Sequence, residues 1–247
     1  MIWHAIQGGK YIGYNQPNVY INPEIIERID YIIAAGTNAI PMWTRCTHLP
    51  ENKILPLGMP RTDVFIGKNK GDGHTLLANK RTYLYVPTFR EPSEPSYFVL
   101  DYDWLDHELT DNELFVVKAH MRGGQILSKK YKHIIEISSI EPSTPYLYDC
   151  DVVITDYSSI IFDGYLLNKP AIIFEKWKAY ASYRGMYLKY PQEYSSRYAT
   201  NEKEMLYLAR EASSLTEIER NCIIKVADMC DGHSCERICN LISNLNT

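Results

Sequence analysis

The chain alternates short apolar runs with stretches whose apolar residues recur at helical spacing. Runs at Thr82–Val86, Leu114–Lys118, His133–Ile137, Val152–Thr155 and Ala171–Phe174 are rich in β-branched and aromatic residues. Such runs predict strands buried on both faces. Helical patterns lie between several of them, at Tyr102–Leu109, Pro145–Cys150 and Ser159–Leu167. Strands separated by helices predict a parallel sheet covered on both sides, an α/β fold. Upstream, Asp30–Ala35, ended by Gly36, and Lys53–Leu57 predict two further strands. Residues 66–80 set Gly67, Gly71 and Gly73 among Lys and Asn and predict a linker or exposed turn. The tail Glu202–Leu245 predicts two or three helices.

In open α/β sheets, ligands bind beyond the carboxyl ends of the strands. Three polar motifs are expected at that edge: Pro87-Thr88-Phe89-Arg90, Ala119-His120-Met121-Arg122-Gly123-Gly124 and Asp156-Tyr157-Ser158-Ser159. Together they predict a basic, hydroxyl-rich crevice. The serine pair stands where the Val152 strand enters a helix. Unpaired amides and the helix dipole make such an end positive, and two hydroxyls add donors, which suits a phosphate or diphosphate. The plainer reading is an N-cap, for which one Ser suffices. His120 is either a structural histidine or a donor and proton carrier at the ligand edge. Trp3-His4-Ala5-Ile6-Gln7-Gly8-Gly9-Lys10 is either a frayed terminus or a second phosphate-facing segment, with His4 as a base and Lys10 as a cation. Arg90 is a candidate phosphate ligand. Arg184-Gly185, after a Tyr- and Lys-rich loop, is either plain surface or part of a closure over a nucleotide.

Composition narrows these readings. At 247 residues the chain suffices for one large or two small domains. A net charge of −4 gives no overall basic field, so nucleic acid is not expected as a partner. No apolar run is long enough to span a bilayer, and the first residues lack the pattern of a secretory signal. Walker, dinucleotide and nucleophile-elbow glycine motifs are missing, which argues against P-loop NTPases, nicotinamide dehydrogenases and α/β-hydrolases. Four of the six cysteines crowd the tail near His233, yet without a Cys-x-x-Cys pair. Reduced thiols in a cytoplasmic protein are expected rather than zinc, and neither a metal nor another cofactor is expected.

Taken in order, the motifs resemble the CDP-glycerol glycerophosphotransferases of teichoic acid and capsule synthesis, with their ribitol-phosphate relatives. The resemblance runs through Trp3-His4-Ala5, Lys10 and Gly13-Tyr14, then Ile54–Asp63, Tyr85–Arg90 and Phe115–His120. It continues through Asp151–Asp163, Leu166–Pro170, Arg184-Gly185 and Asp231–Arg237. One departure is Met121, where the family usually has Pro. The resemblance implies a GT-B-like architecture. Its expected parts are a remnant of an N-terminal, acceptor-side half (1–66), a CDP-alcohol-binding Rossmann-like domain (75–230) and a C-terminal helix (231–247). Because the first family motif begins at residue 3, the acceptor-side half is expected to be truncated, making the chain a fragment or a short relative.

The resemblance also implies roles. His4 and His120 match the family's catalytic histidines, and Ser158 and Ser159 match its serine pair at the diphosphate. Arg90 and Lys10 are expected to join them there. Thr88, Arg122, Asp156, Asp163 and Arg184 are expected around the nucleotide or alcohol. The donor is CDP-glycerol or a similar CDP-alcohol, and the acceptor a lipid-linked glycan or polymer. Peripheral contact with the inner face of the cell membrane and a partner subunit completing the cleft are further expectations. The alternatives are a nucleotide-sugar glycosyltransferase or epimerase of the same fold, and an inactive nucleotide-binding module.

Overall fold

The computed structural model describes residues 1–2, 5–16, 23–67, 73, 77, 79–88, 100–118, 127–138, 140–175 and 184–245. In chain order these include α1 (Pro23–Glu27), β1 (Ile32–Ala34), α2 (Ile40–Thr47), β2 (Ile54–Pro56), β3 (Arg81–Tyr85), α3 (Tyr102–Glu108), β4 (Glu113–Lys118) and β5 (Ile134–Ile137). There follow α4 (Thr144–Asp149), β6 (Val152–Thr155), α5 (Ile160–Leu166), β7 (Ala171–Phe174), β8 (Tyr198–Ala199), α6 (Glu202–Glu211), α7 (Glu217–Ala227) and α8 (Ser234–Leu245). The predicted strands are all present with ends shifted by a residue or two. β8, α1 and α2 were not predicted.

These elements form two compact units. The first comprises Met1–Gly67, Ala179–Tyr194 and Glu217–Thr247, and the second Lys68–Lys178 and Ser195–Thr216. The linear division at 66, 75 and 231 differs from this partition. Residues 184–194 and 217–230 pack with the first unit because their bonds run there: Tyr11 N donates to Gly185 O (2.9 Å), and Thr37 N to Asp228 Oδ1 (2.8 Å).

The second unit is built on a parallel six-stranded sheet in the order β5-β4-β3-β6-β7-β8. This is the doubly wound Rossmann order, in which the direction of strand addition reverses once, between β3 and β6. Strands β4, β6 and β7 are buried along their whole length, as their unbroken apolar runs require. Edge strand β5 exposes Ile135 and so shows a mixed pattern. On one face Tyr83, Tyr85, Phe115, Val117, Ile154 and Phe174 meet Leu105 of α3 and Met205, Leu206 and Ala209 of α6. Helix α5 packs against β6 and β7. Gly164 allows its close approach, since a Cβ there would lie 2.9 Å from Val153 Cγ2.

The first unit pairs β1 with β2 in parallel over a core of Ile32, Ala34, Met42, Trp43, Cys46 and Ile54. Helix α2 begins with a proline in its first turn and buries Met42, Trp43, Cys46 and Thr47. The C-terminal helices return to this unit through three polar clasps. Asp228 accepts from Thr37 N and Thr37 Oγ1 (2.8 and 2.6 Å). Asp63 caps α8 from outside its own chain segment, accepting from Ser234 N (3.1 Å) and Cys235 N (2.7 Å). Arg237 donates to Leu57 O and Met229 O (3.0 and 2.6 Å). Two sequence motifs, Ile54–Asp63 and Asp231–Arg237, thus meet as one structural joint. Cys222 and Cys230 are buried while Cys235 and Cys239 are exposed, all as free thiols, and no metal-holding group occurs among the described residues. Nor is any described helix long and apolar enough to cross a membrane.

Candidate functional site

The carboxyl ends of β3 and β6 are adjacent, and the strand order reverses between them. That is where an open α/β sheet leaves a crevice for a ligand, because the chain exits on either side of the gap. Three bonds stitch the two exit loops together, and a fourth shapes the second loop. Val86 N donates to Ile154 O (2.9 Å) and Thr155 Oγ1 to Val86 O (2.6 Å). Asp156 Oδ1 then accepts from both Thr88 N (2.8 Å) and Tyr157 N (2.6 Å). Thr88, Asp156, Ser158 and Ser159 therefore converge at the reversal point.

The serine pair is half-buried, not sealed in the core. Ser159 takes the N-cap position of α5, but its hydroxyl makes no capping bond. Ser158 Oγ accepts only a long bond from Ile160 N, at 3.4 Å. The plain capping role is thus weakly filled. Asp163 lies in the first turn of α5 and is buried. Asp156 is buried and spends one oxygen on backbone donors, so its evident work is to shape the turn.

Two residues at this edge escaped the list drawn from sequence. Lys118 ends β4, is buried, and donates from Nζ to Ser138 O (2.8 Å); burial pulls its pKa down, against an upward pull from Glu141. Glu175 follows β7, also buried, and accepts from the hydroxyls of Tyr157 and Tyr198, the latter at 2.7 Å. The uninterrupted apolar strand before each hid the polar residue at its end, although a charge closing a buried run is a usable signal.

The first unit gathers two other candidates. Tyr11 N bonds Gly185 O and Tyr187 N bonds Gly9 O, both at 2.9 Å, with an antiparallel bridge between Lys10 and Met186. Lys10 thereby pairs with Met186, two residues beyond Arg184 on a segment far from it in sequence. Gly185 has φ +75° and the Tyr11 ring lies over its Cα, so a side chain there is doubly excluded. Tyr187 secures the segment further, its hydroxyl accepting from Asn15 Nδ2 (3.1 Å) and Ile12 N (3.4 Å). Burial pushes that phenol up to about 12. His4, His120, Arg90 and Arg122 lie outside the described residues.

Residues 1–244 match the model of the CDP-glycerol:poly(glycerophosphate) glycerophosphotransferases. The chain belongs to this family. It is 29% identical to the teichoic acid ribitol-phosphate primase of Bacillus spizizenii, over all of this chain and 69% of that protein. It is 27% identical to the teichoic acid poly(ribitol-phosphate) polymerase of the same species, over 98% of this chain but only 42% of the polymerase. Among solved structures it resembles a variant of the wall teichoic acid polymerase TagF, with a TM-score of 0.79 at 20% identity, covering 98% of this chain and 67% of that one. A more distant likeness is to the UDP-bound MnaA of S. aureus, with a TM-score of 0.53 at 17% identity over 88% of this chain and 61% of MnaA. The fold is accordingly α/β and GT-B-like.

Proposed function

We propose that this chain carries the donor site of an enzyme that moves glycerol phosphate, or a related polyol phosphate, from a CDP-alcohol to a hydroxyl of a teichoic acid or capsular polymer. The observation that carries the reading is the Asp156–Ser159 turn at the strand-order reversal, its serine hydroxyls half-exposed and its backbone tied to the Thr88 loop. A diphosphate at this turn meets hydroxyl and amide donors that need no rearrangement, the condition under which electrostatic stabilisation is most effective. The acceptor oxygen attacks the phosphorus bearing the glycerol, the bond from that phosphorus to the bridging oxygen breaks, and CMP leaves. By family likeness His4 takes the acceptor's proton, and His120 stabilises the diphosphate or assists CMP. Arg90, Arg122, Lys10 and Arg184 supply positive charge, while Thr88 and Asp163 face the nucleotide or alcohol. No cofactor enters this scheme. The acceptor is a lipid-linked glycan or polymer, reached from the cytoplasm by peripheral contact with the membrane's inner face. A second subunit supplying acceptor contacts is a further expected partner.

Titration calorimetry with CDP-glycerol, CDP-ribitol, CMP and UDP tests the reading. Either CDP-alcohol and CMP should bind, and UDP should not. Binding of UDP alone would favour a nucleotide-sugar enzyme, a reading kept in view by the shared fold with the UDP-bound MnaA. In an active preparation His4→Ala and His120→Ala should each lower transfer by about a hundredfold or more while leaving donor binding within a few-fold. Wild-type rates in both would overturn the assignment.

A further inference from the structure

Glu175 is 4% exposed, and both of its carboxylate oxygens are engaged. Oε1 accepts from the Tyr157 hydroxyl and Oε2 from the Tyr198 hydroxyl, the second at 2.7 Å. Its own amide donates to Ala199 O (3.0 Å), which fixes its backbone between β7 and β8. A buried carboxylate is costly unless donors meet it, and an orphaned buried phenol is costly in turn. The three side chains therefore hold one another as a set.

Tyr157 belongs to the donor turn. On the amino side of the serine pair, Asp156 is tied to the β3 exit through Thr88 N, and Tyr157 is tied to the β7 end through Glu175. The register agrees: Thr155 pairs with Ile173, so two residues further along each chain Tyr157 falls opposite Glu175. We propose that Glu175 is a positioning residue for the donor turn, acting through the Tyr157 hydroxyl to fix the direction in which Ser158 and Ser159 face. The identity of the ligand rests on the reading given above; the clamp itself does not. A ligand gains affinity from a site ordered in advance, because less freedom is lost on binding.

The two tyrosines provide a matched comparison. Tyr157→Phe and Tyr198→Phe each remove one hydroxyl from the same carboxylate, but only the first releases the turn. In the full chain, Tyr157→Phe should raise the Kd for CDP-glycerol about tenfold, and Tyr198→Phe about threefold or less, with similar melting temperatures. Without ligand, amide hydrogen exchange at residues 156–160 should quicken in Tyr157→Phe and stay near wild type in Tyr198→Phe. Glu175→Ala should follow Tyr157→Phe in both readouts; should it not fold, the tyrosine pair still decides. Equal effects of the two tyrosine variants on exchange, or none, would overturn the clamp. A wild-type chain that takes up no CDP-glycerol would sink the donor reading instead, and the exchange comparison would still judge the clamp.

Discussion

Asp156 Oδ1 receives two backbone N–H groups, one from each loop at the strand-order reversal. Removing it leaves two donors at a buried position, which costs more than the bonds themselves are worth. Asp156→Ala should lower stability by about 2–3 kcal/mol in a denaturant melt, and Asp156→Asn, which retains an acceptor oxygen, by clearly less. The sequence placed this aspartate at the ligand edge but had no means of showing that its carboxylate turns back onto the chain. The serines were legible because a strand running into paired hydroxyls is a local pattern. Glu175 was not, because its partners Tyr157 and Tyr198 come from other strand ends and only the sheet register joins them.

At the scale of elements, helix α5 carries the turn and depends on Gly164 for its distance from β6. Gly164→Ala gains helix propensity of about 1 kcal/mol, but its Cβ meets a branched side chain that cannot swing away, an overpacking cost of about 1–3 kcal/mol. The net expectation is a lower melting temperature, with weaker donor binding if α5 shifts. At the opposite end of the sheet, Glu113 joins β4 to α6, accepting from Arg210 Nε and Nη2 (both 2.8 Å) and from the Tyr83 hydroxyl (2.6 Å). Burial works to raise its pKa, but the bonds from Arg210, Tyr83 and Thr110 prevail and hold it at about 2, below the ordinary 4.5. A carboxyl so depressed adds stability above about pH 4.5 that fades as pH falls toward 2. Thermal melts between pH 6 and 2.5, as about half-unit steps, should show wild type losing more stability than Glu113→Gln over that window. The strands of this sheet were readable as unbroken apolar runs. Two-residue β8 was too short to carry a period, whereas α2 carries one in Met42, Trp43, Cys46 and Thr47 and was legible in the sequence.

At the scale of the molecule, the chain passes between the units near residues 67, 178, 194 and 216. No composition shift marks the later passages, which is why a linear division at 66, 75 and 231 does not follow the two units. The bonds that close the first unit, from Asp228, Asp63 and Arg237, all involve residues 217–247. A chain ending at residue 216 retains every segment of the second unit. Amide exchange on such a chain should find β3, β4, β6 and β7 protected as before, and β1 and β2 exchanging at least about tenfold faster. Protection lost equally in both sheets would show that the units do not unfold separately.

The clasp of Asp63 onto the first turn of α8 also sets an order of events during synthesis. The Rossmann sheet has all its strands once residue 199 has left the ribosome, whereas β1 and β2 must wait for a helix translated after it. Nascent chains fold by domain at the pace of elongation, so β1 and β2 spend seconds without their cover. Strands β1 and β2 are made before the Rossmann sheet and covered after it, and that interval is when a chaperone would find them.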